Sequence, residues 1–371
     1  MAVLNHLDET ATRATLTRWL ATRLDGASTV EIPAISIPAS AGMSMTTILF
    51  SVTYDVEGIR HELDLVARVT PATPGIFREP DLGEEFALLT AIAAHTAVPV
   101  PRVRWLEEDP ALLGGPFLVM DRVDGQVPGD DPPFVTEGWV VDLAPADRGR
   151  LFDNALRALA ELHTADPGVL GVEFLDKSED RRPGLQQQLV EWRQFYDWTA
   201  EAGRIENIER AYEWLDAHRP EGDDELVLCW GDARLGNVIF GADQSVAAVL
   251  DWEMATIASP QLDLGWFVLF VRYYSEGIGV PLMEGLPDRE AVIARYRELT
   301  GRSAADVDYY ERFAAYRLAI IMARIGGLMI SGGALPADSA MAANNPASQV
   351  LARLFGLPAP EGAEANYVGH R

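Results

Sequence analysis

The chain has 371 residues, 48% hydrophobic and 23% charged, a globular composition long enough for two or three structural units. Its formal charge of −26 repels nucleic acid and anionic membrane, which sets both aside as partners. No run approaches about 18 uninterrupted apolar residues, and residues 1–13 lack the basic and apolar regions of a secretion signal, so a cytoplasmic location is expected. The lone Cys229 permits neither an internal disulfide nor a cysteine-based metal cluster.

Residues 1–25 predict an amphipathic helix, with Leu4, Leu7, Leu16, Trp19, Leu20 and Leu24 as its apolar members. Strands follow over 30–37 and 47–56, on either side of the small-residue turn 38–44. Another spans 61–69, where polar and apolar residues alternate up to the stop at Pro71. A helix over 83–95 has acidic residues in its first turn, and strands over 100–106 and 117–123 complete a sheet with one inserted helix. Residues 125–145, rich in Pro, Gly and Asp, read as a connection between an N-terminal lobe (1–123) and a C-terminal lobe (124–371). Helices are predicted over 147–164, 186–202 and 205–218, then short strands over 226–229, 238–240 and 246–250. Helices over 261–275, 289–300, 307–330 and 340–354 complete a mainly helical half, and a loosely ordered tail is expected after Gly356.

The chemistry concentrates in Cys229-Trp230-Gly231-Asp232-Ala233-Arg234-Leu235-Gly236-Asn237-Val238-Ile239-Phe240 and in Val249-Leu250-Asp251-Trp252-Glu253. Phosphoryl transfer depends on placement more than on covalent help: a carboxylate beside the attacking hydroxyl, and oxygen ligands holding Mg²⁺ on the phosphates. Asp232 and Asn237 stand at the two ends of a short loop, a spacing that brings both side chains to one place. Asp251 ends the next hydrophobic strand, where a carboxylate can reach the same metal. Asp232 is therefore the expected base, with Asn237 and Asp251 as metal ligands.

The pattern G-D-x-x-x-x-N, then a strand and D-W-E, resembles the aminoglycoside phosphotransferase and choline kinase-like family, distant relatives of protein kinases. WGDARLGN with LDWE looks closest to the branch that includes kinase domains attached to some acyl-CoA dehydrogenases. The resemblance runs from about residue 25 to residue 355. It implies an α+β, protein kinase-like fold of two lobes and an ATP- and Mg²⁺-dependent phosphotransferase acting on a small-molecule alcohol. One departure is Trp230, where the family often has a histidine that supports the loop; an aromatic ring can pack in its place. Asp263 matches a position whose carboxylate braces the loop backbone, and an ordinary helix N-terminal acid is the other reading.

By the same resemblance, Arg68 takes the place of the strand lysine that touches the α- and β-phosphates. Lys177 is the only lysine in the chain, and a guanidinium suits bidentate phosphate contact. Glu85 is expected to pair with Arg68 and is preferred over Glu84, because Glu85-Phe86-Ala87-Leu88-Leu89 resembles the family's helix. The turn from Ser40 through Gly42 and Ser44 to Thr47 would cover the phosphates with backbone N–H groups. The segment 117–123 resembles the hinge strand, with adenine bonding backbone near Asp121 and Val123 and with Met120 as either pocket wall or core. His163 reads as a structural histidine.

Two acceptors stay open, an amino alcohol such as an antibiotic and a hydroxyacyl thioester. The second calls for a basic patch, for which Arg181, Arg182, Arg193 and Arg204 are candidates. A catalytically inactive nucleotide-binding pseudokinase is the competing class, favoured by Trp230 and Arg68 and opposed by the presence of Asp232, Asn237 and Asp251 together.

Overall fold

The computed structural model describes residues 7–38, 44–78, 81–177, 184–200, 203–221 and 225–362, and divides into two compact units. Unit 1 comprises Met1–Thr90 and Pro101–Val123; unit 2 comprises Ala91–Val100 and Asp124–Arg371.

Unit 1 opens with α1 (Glu9–Leu20), capped by the Asp8 carboxylate, which accepts from Ala11 N at 2.7 Å. Strands β1 (Ala27–Glu31), β2 (Ile35–Ser36), β3 (Thr46–Val56) and β4 (Ile59–Val69) precede α2 (Leu82–His95), and β5 (Val103–Glu107) and β6 (Phe117–Asp121) close the unit. The sheet is antiparallel in the order β1-β3-β4-β6-β5, with β2 also on β3. β3 and β4 are joined by Glu57 and Gly58 alone, both at positive φ, the requirement of a tight two-residue hairpin turn. Alternation then sorts the side chains of β4. Leu65, Ala67 and Val69 pack with Leu16, Trp19 and Leu20 of α1, which places Val66 and Arg68 on the opposite face. β5 starts three residues later than predicted, beyond Pro99 and Pro101.

Unit 2 contains α3 (Trp139–Asp142), α4 (Pro145–Leu162), α5 (Pro167–Leu170), α6 (Leu185–Thr199) and α7 (Glu206–Ala217). These are followed by β7 (Val227–Cys229), β8 (Val238–Phe240), β9 (Val246–Val249) and β10 (Thr256–Ala258). Helices α8 (Gln261–Arg272), α9 (Arg289–Thr300), α10 (Val307–Ser331) and α11 (Pro346–Phe355) complete it. β8 pairs with β9, and β7 pairs with β10, a three-residue strand too short to announce itself by periodicity. α8 passes into a π-turn, Tyr273–Gly277, instead of continuing to residue 275 as an α-helix. α11 begins six residues later than predicted, because Asn345 and Ser348 form a reciprocal capping box with Pro346 at the first helical position. Residues 357–362 are not helical, and the rest of the tail lies outside the described residues.

The core of unit 2 is the crossing of α8 and α10. Every residue of α8 from Gln261 to Phe270 is buried. α10 is long and apolar enough to span a membrane by length and composition, but it lies mostly buried within the unit. At the crossing, a Cβ on Gly265 would stand 2.5 Å from the Tyr310 carbonyl carbon. Gly265→Ala should therefore cost about 1–3 kcal/mol of stability by forcing the helices apart. Gly327→Ala, in open space on α10, should raise stability by about 0.5–1 kcal/mol. The denaturant midpoints of the two variants should move in opposite directions.

Candidate active site

The chain leaves β7 at Cys229 and turns sharply at Gly231, which has φ +90°. A Cβ there would lie 2.0 Å from the Met254 carbonyl oxygen, so only glycine fits. The turn is held from below by Asp263, the third residue of α8 and fully buried. Its Oδ2 accepts from Trp230 N at 2.6 Å and its Oδ1 from Gly231 N at 2.8 Å. Of the two readings of Asp263, the geometry matches the loop brace. His163, immediately after α4, extends the network: Nε2 lies 3.1 Å from Asp263 Oδ2 and Nδ1 lies 2.6 Å from the Tyr296 hydroxyl. A carboxylate only accepts, which assigns the proton to Nε2 and leaves Nδ1 to accept from the Tyr296 hydroxyl, kept protonated by burial.

His163, Cys229 and Asp263 also lie close enough together to share a metal ion. Their donor atoms are already committed, however. The Cys229 sulfur lies 3.3 Å from the Ser259 carbonyl, and burial holds its thiol well above its ordinary pKa, which disfavours the thiolate a metal needs. The cluster is a brace.

Asp232 follows Gly231. Its Oδ1 accepts the Trp266 indole N–H at 2.7 Å, its Oδ2 accepts Asn237 Nδ2 at 2.7 Å, and Arg234 Nε lies 3.1 Å from both oxygens. Arg234 also pairs with Asp130, which receives the Tyr274 hydroxyl from the π-turn, and its guanidinium sits 5.4 Å over the Phe270 ring. Asn237 turns its amide nitrogen toward Asp232, so its amide oxygen is the group left to serve as a ligand.

Two N–H donors join this loop to the Asp251 segment. Leu250 N donates to Asn237 O at 2.8 Å, and the Trp230 indole donates to Leu250 O at 2.8 Å and Asp251 O at 3.2 Å. The tryptophan thus packs in place of the family's histidine and keeps loop and strand end in register. Asp251 has φ +61°, a costly conformation for a non-glycine residue and a recurrent mark of functional positions. Asp232 and Asn237 meet directly, and Asp251 lies one residue beyond the backbone partner of Asn237. Beside them, an apolar pocket is lined by Phe134, Phe152, Leu235, Phe267, Phe270 and Leu286, with Arg234 and Tyr274 as its polar members.

Within unit 1, Arg68 forms an ion pair with Glu85, which is buried, while Glu84 is the more exposed neighbour. The Asp121 carboxylate is held by Arg104 and its N–H donates to Arg102 O at 2.9 Å; Val123 follows β6. Met120 is a buried core residue of β6. Ser44 precedes β3, and Ser40 and Gly42 lie outside the described residues. Of the basic-patch candidates, Arg181 and Arg182 also lie outside them. Arg193 and Arg204 are both neutralised by Glu209 and Asp197, so neither offers unbalanced charge. The 229–240 motif contains Arg234 without giving it a role, and no sequence signal marks Asp130, Trp266, Tyr274 or Arg317.

A two-unit kinase-like phosphotransferase fold with a Gly-Asp loop against a positive-φ aspartate defines the class. The model of the phosphotransferase enzyme family (APH) matches residues 51–299, more than half of the chain, and the protein belongs to that family. A provisionally assigned aminoglycoside phosphotransferase from Ralstonia eutropha is 26% identical, with a TM-score of 0.66 over 92% of this chain and 95% of that one. The GDP and kanamycin complex of an aminoglycoside 2″-phosphotransferase shares the fold at 14% identity, with a TM-score of 0.57 over 92% and 97% of the two chains. Among curated relatives, "Probable acyl-CoA dehydrogenase IBR3" of Arabidopsis thaliana is 27% identical over 75% of this chain and 35% of its own length. Human acyl-CoA dehydrogenase family member 11 is 30% identical over 60% of this chain and 28% of its own. The chain thus spans about a third of the length of these relatives.

Because Asp263 takes two backbone N–H groups that have no route to water, Asp263→Ala should destabilise the protein by about 2–5 kcal/mol. Urea unfolding at neutral pH should show this as a lower midpoint.

Proposed function

We propose that the protein transfers the γ-phosphoryl group of ATP, with Mg²⁺, to a hydroxyl of a small molecule. The observation that carries this reading is the meeting of Asp232 and Asn237 beside the Asp251 strand end. Asp232 is the base: its carboxylate accepts the hydrogen bond of the acceptor hydroxyl and takes its proton as the new O–P bond forms. Trp266 and Asn237 fix its rotamer, so little reorganisation remains for the reaction. Asn237 and Asp251 would hold Mg²⁺; both offer hard oxygen donors, the ligand chemistry that ion requires. When bound, the ion supplies charge neutralisation on the phosphates.

Arg68, fixed by Glu85, is proposed to bind the α- and β-phosphates. Ser40, Gly42 and Ser44 would contribute backbone N–H groups, and the backbone at Asp121 and Val123 the adenine contacts. ATP as donor argues for a cytoplasmic setting. Neighbours of the fold have been seen with GDP or ADP, which supports a nucleotide donor. Trp230, one of the two features that favour an inactive pseudokinase, makes bonds that support an intact loop and so weakens that reading.

For the acceptor, an amino alcohol and a hydroxyacyl thioester are the two candidates. The dehydrogenase names of the curated relatives favour the hydroxyacyl thioester.

The test is ADP release with Mg·ATP across hydroxyacyl thioesters, spectinomycin and kanamycin. Turnover is expected with a thioester, and failure of every alcohol tested to bring about ADP release would overturn the kinase reading. Asp232→Ala should lower kcat by about 10²–10⁴-fold with Mg·ATP affinity largely kept. Asp251→Ala should weaken Mg·ATP binding at least about tenfold by calorimetry, one contact of about 1.4 kcal/mol.

A further inference from the structure

Arg317 sits in the middle of α10 at 1% exposure, facing the underside of the Asp232 loop. Its Nη2 donates to the Gly231 carbonyl at 3.0 Å, while Nε and Nη1 have no hydrogen-bond partner among the described residues. Its guanidinium lies 4.6 Å from the centre of the Trp266 ring and 4.8 Å from that of Trp192, with Phe313 at 5.9 Å. Burial lowers its pKa to about 10, against the pull of the Asp263 and Asp232 carboxylates, so it is charged at neutral pH.

A buried cation with two unused donor nitrogens is costly, and stacking on two indoles offsets only part of that. An apolar side chain of the same size would fill the space more cheaply. What it could not do is hold the Gly231 carbonyl. That carbonyl belongs to the peptide leading into Asp232, so its orientation sets the direction in which the aspartate leaves the turn. Arg317 acts a second time through Trp266, whose ring it covers and whose N–H holds Asp232 Oδ1. Asp263 fixes the N–H edges of the turn and Arg317 its opposite, carbonyl edge.

We propose that Arg317 is a positioning residue for Asp232, acting through the Gly231 carbonyl and the Trp266 indole. The proposal rests on Asp232 being the base, but its first readout requires no substrate. The chain has nine tryptophans, and the indole N–H resonance of Trp266 in the ¹⁵N-labelled 371-residue chain can be assigned by its loss in Trp266→Phe. Asp232→Asn should displace that resonance, and so should Arg317→Met, with Arg317→Lys falling between Arg317→Met and wild type. With an acceptor in hand, Arg317→Met should lower kcat about 10²-fold, as for ångström-scale misplacement of a reacting group. KM for Mg·ATP should stay within about twofold, and lysine should restore part of the rate.

A folded Arg317→Met protein with the Trp266 resonance unmoved, or with kcat intact, would overturn the proposal. If Arg317→Met does not fold, Arg317→Lys decides: a displaced resonance supports the role and an unchanged one overturns it. A wild-type protein without turnover would count against the kinase reading and leave the indole measurement to judge Arg317.

Discussion

The backbone N–H groups of Trp230 and Gly231 end on one buried carboxylate, that of Asp263, and the groups around Asp232 take their places from that junction. A peptide at positive φ, pressed against the Met254 carbonyl, leaves no room for a side chain, so the turn admits only glycine there. With the turn fixed, Asp232 emerges at a set angle, and Trp266, Asn237 and Arg234 close on its two oxygens. The carboxylate brace in turn is kept in place by His163, whose own orientation is set by a tyrosine on α9. Elements far apart in sequence, α4, α8 and α9, thus converge on three consecutive residues. The rigidity that phosphoryl transfer requires comes from this chain of buried hydrogen bonds.

The same logic explains why Trp230 is tolerated. What the position must supply is a bridge between the Asp232 loop and the end of β9, and an indole N–H shared between two carbonyls supplies it. Trp252 packs nearby at 5.9 Å between ring centres, and its own N–H is satisfied by Val249 O. The substitution changes the donor and keeps the connection.

Much of the fold was legible because its signals are local. The alternation in β4 announced both the strand and the face on which Arg68 stands, and the likeness of Glu85-Phe86-Ala87-Leu88-Leu89 to the family's helix singled out Glu85, the residue that pairs with Arg68. Asp232, Asn237 and Asp251 could be picked out because five residues of loop and one strand of hairpin are short distances along the chain. Arg317 was not legible: like Arg312 and Arg324 of the same helix it reads as part of a solvated side, and only the crossing with α8 shows it to be buried. The same holds for Asp130 and Tyr274, which are separated by 144 residues and meet only through the π-turn. β10 failed the periodicity test by its length, and the start of α11 was set by a side-chain cap that hydrophobic spacing does not report.

The almost complete replacement of lysine by arginine has a practical consequence. Lys177, exposed just after the short helical turn Glu173–Leu175, is the only side-chain amine, and it lies outside the Asp232 network. Amine-directed dyes, cross-linkers and affinity resins thus find one side-chain attachment point, and molecules tethered through it would all present the same orientation to the solvent.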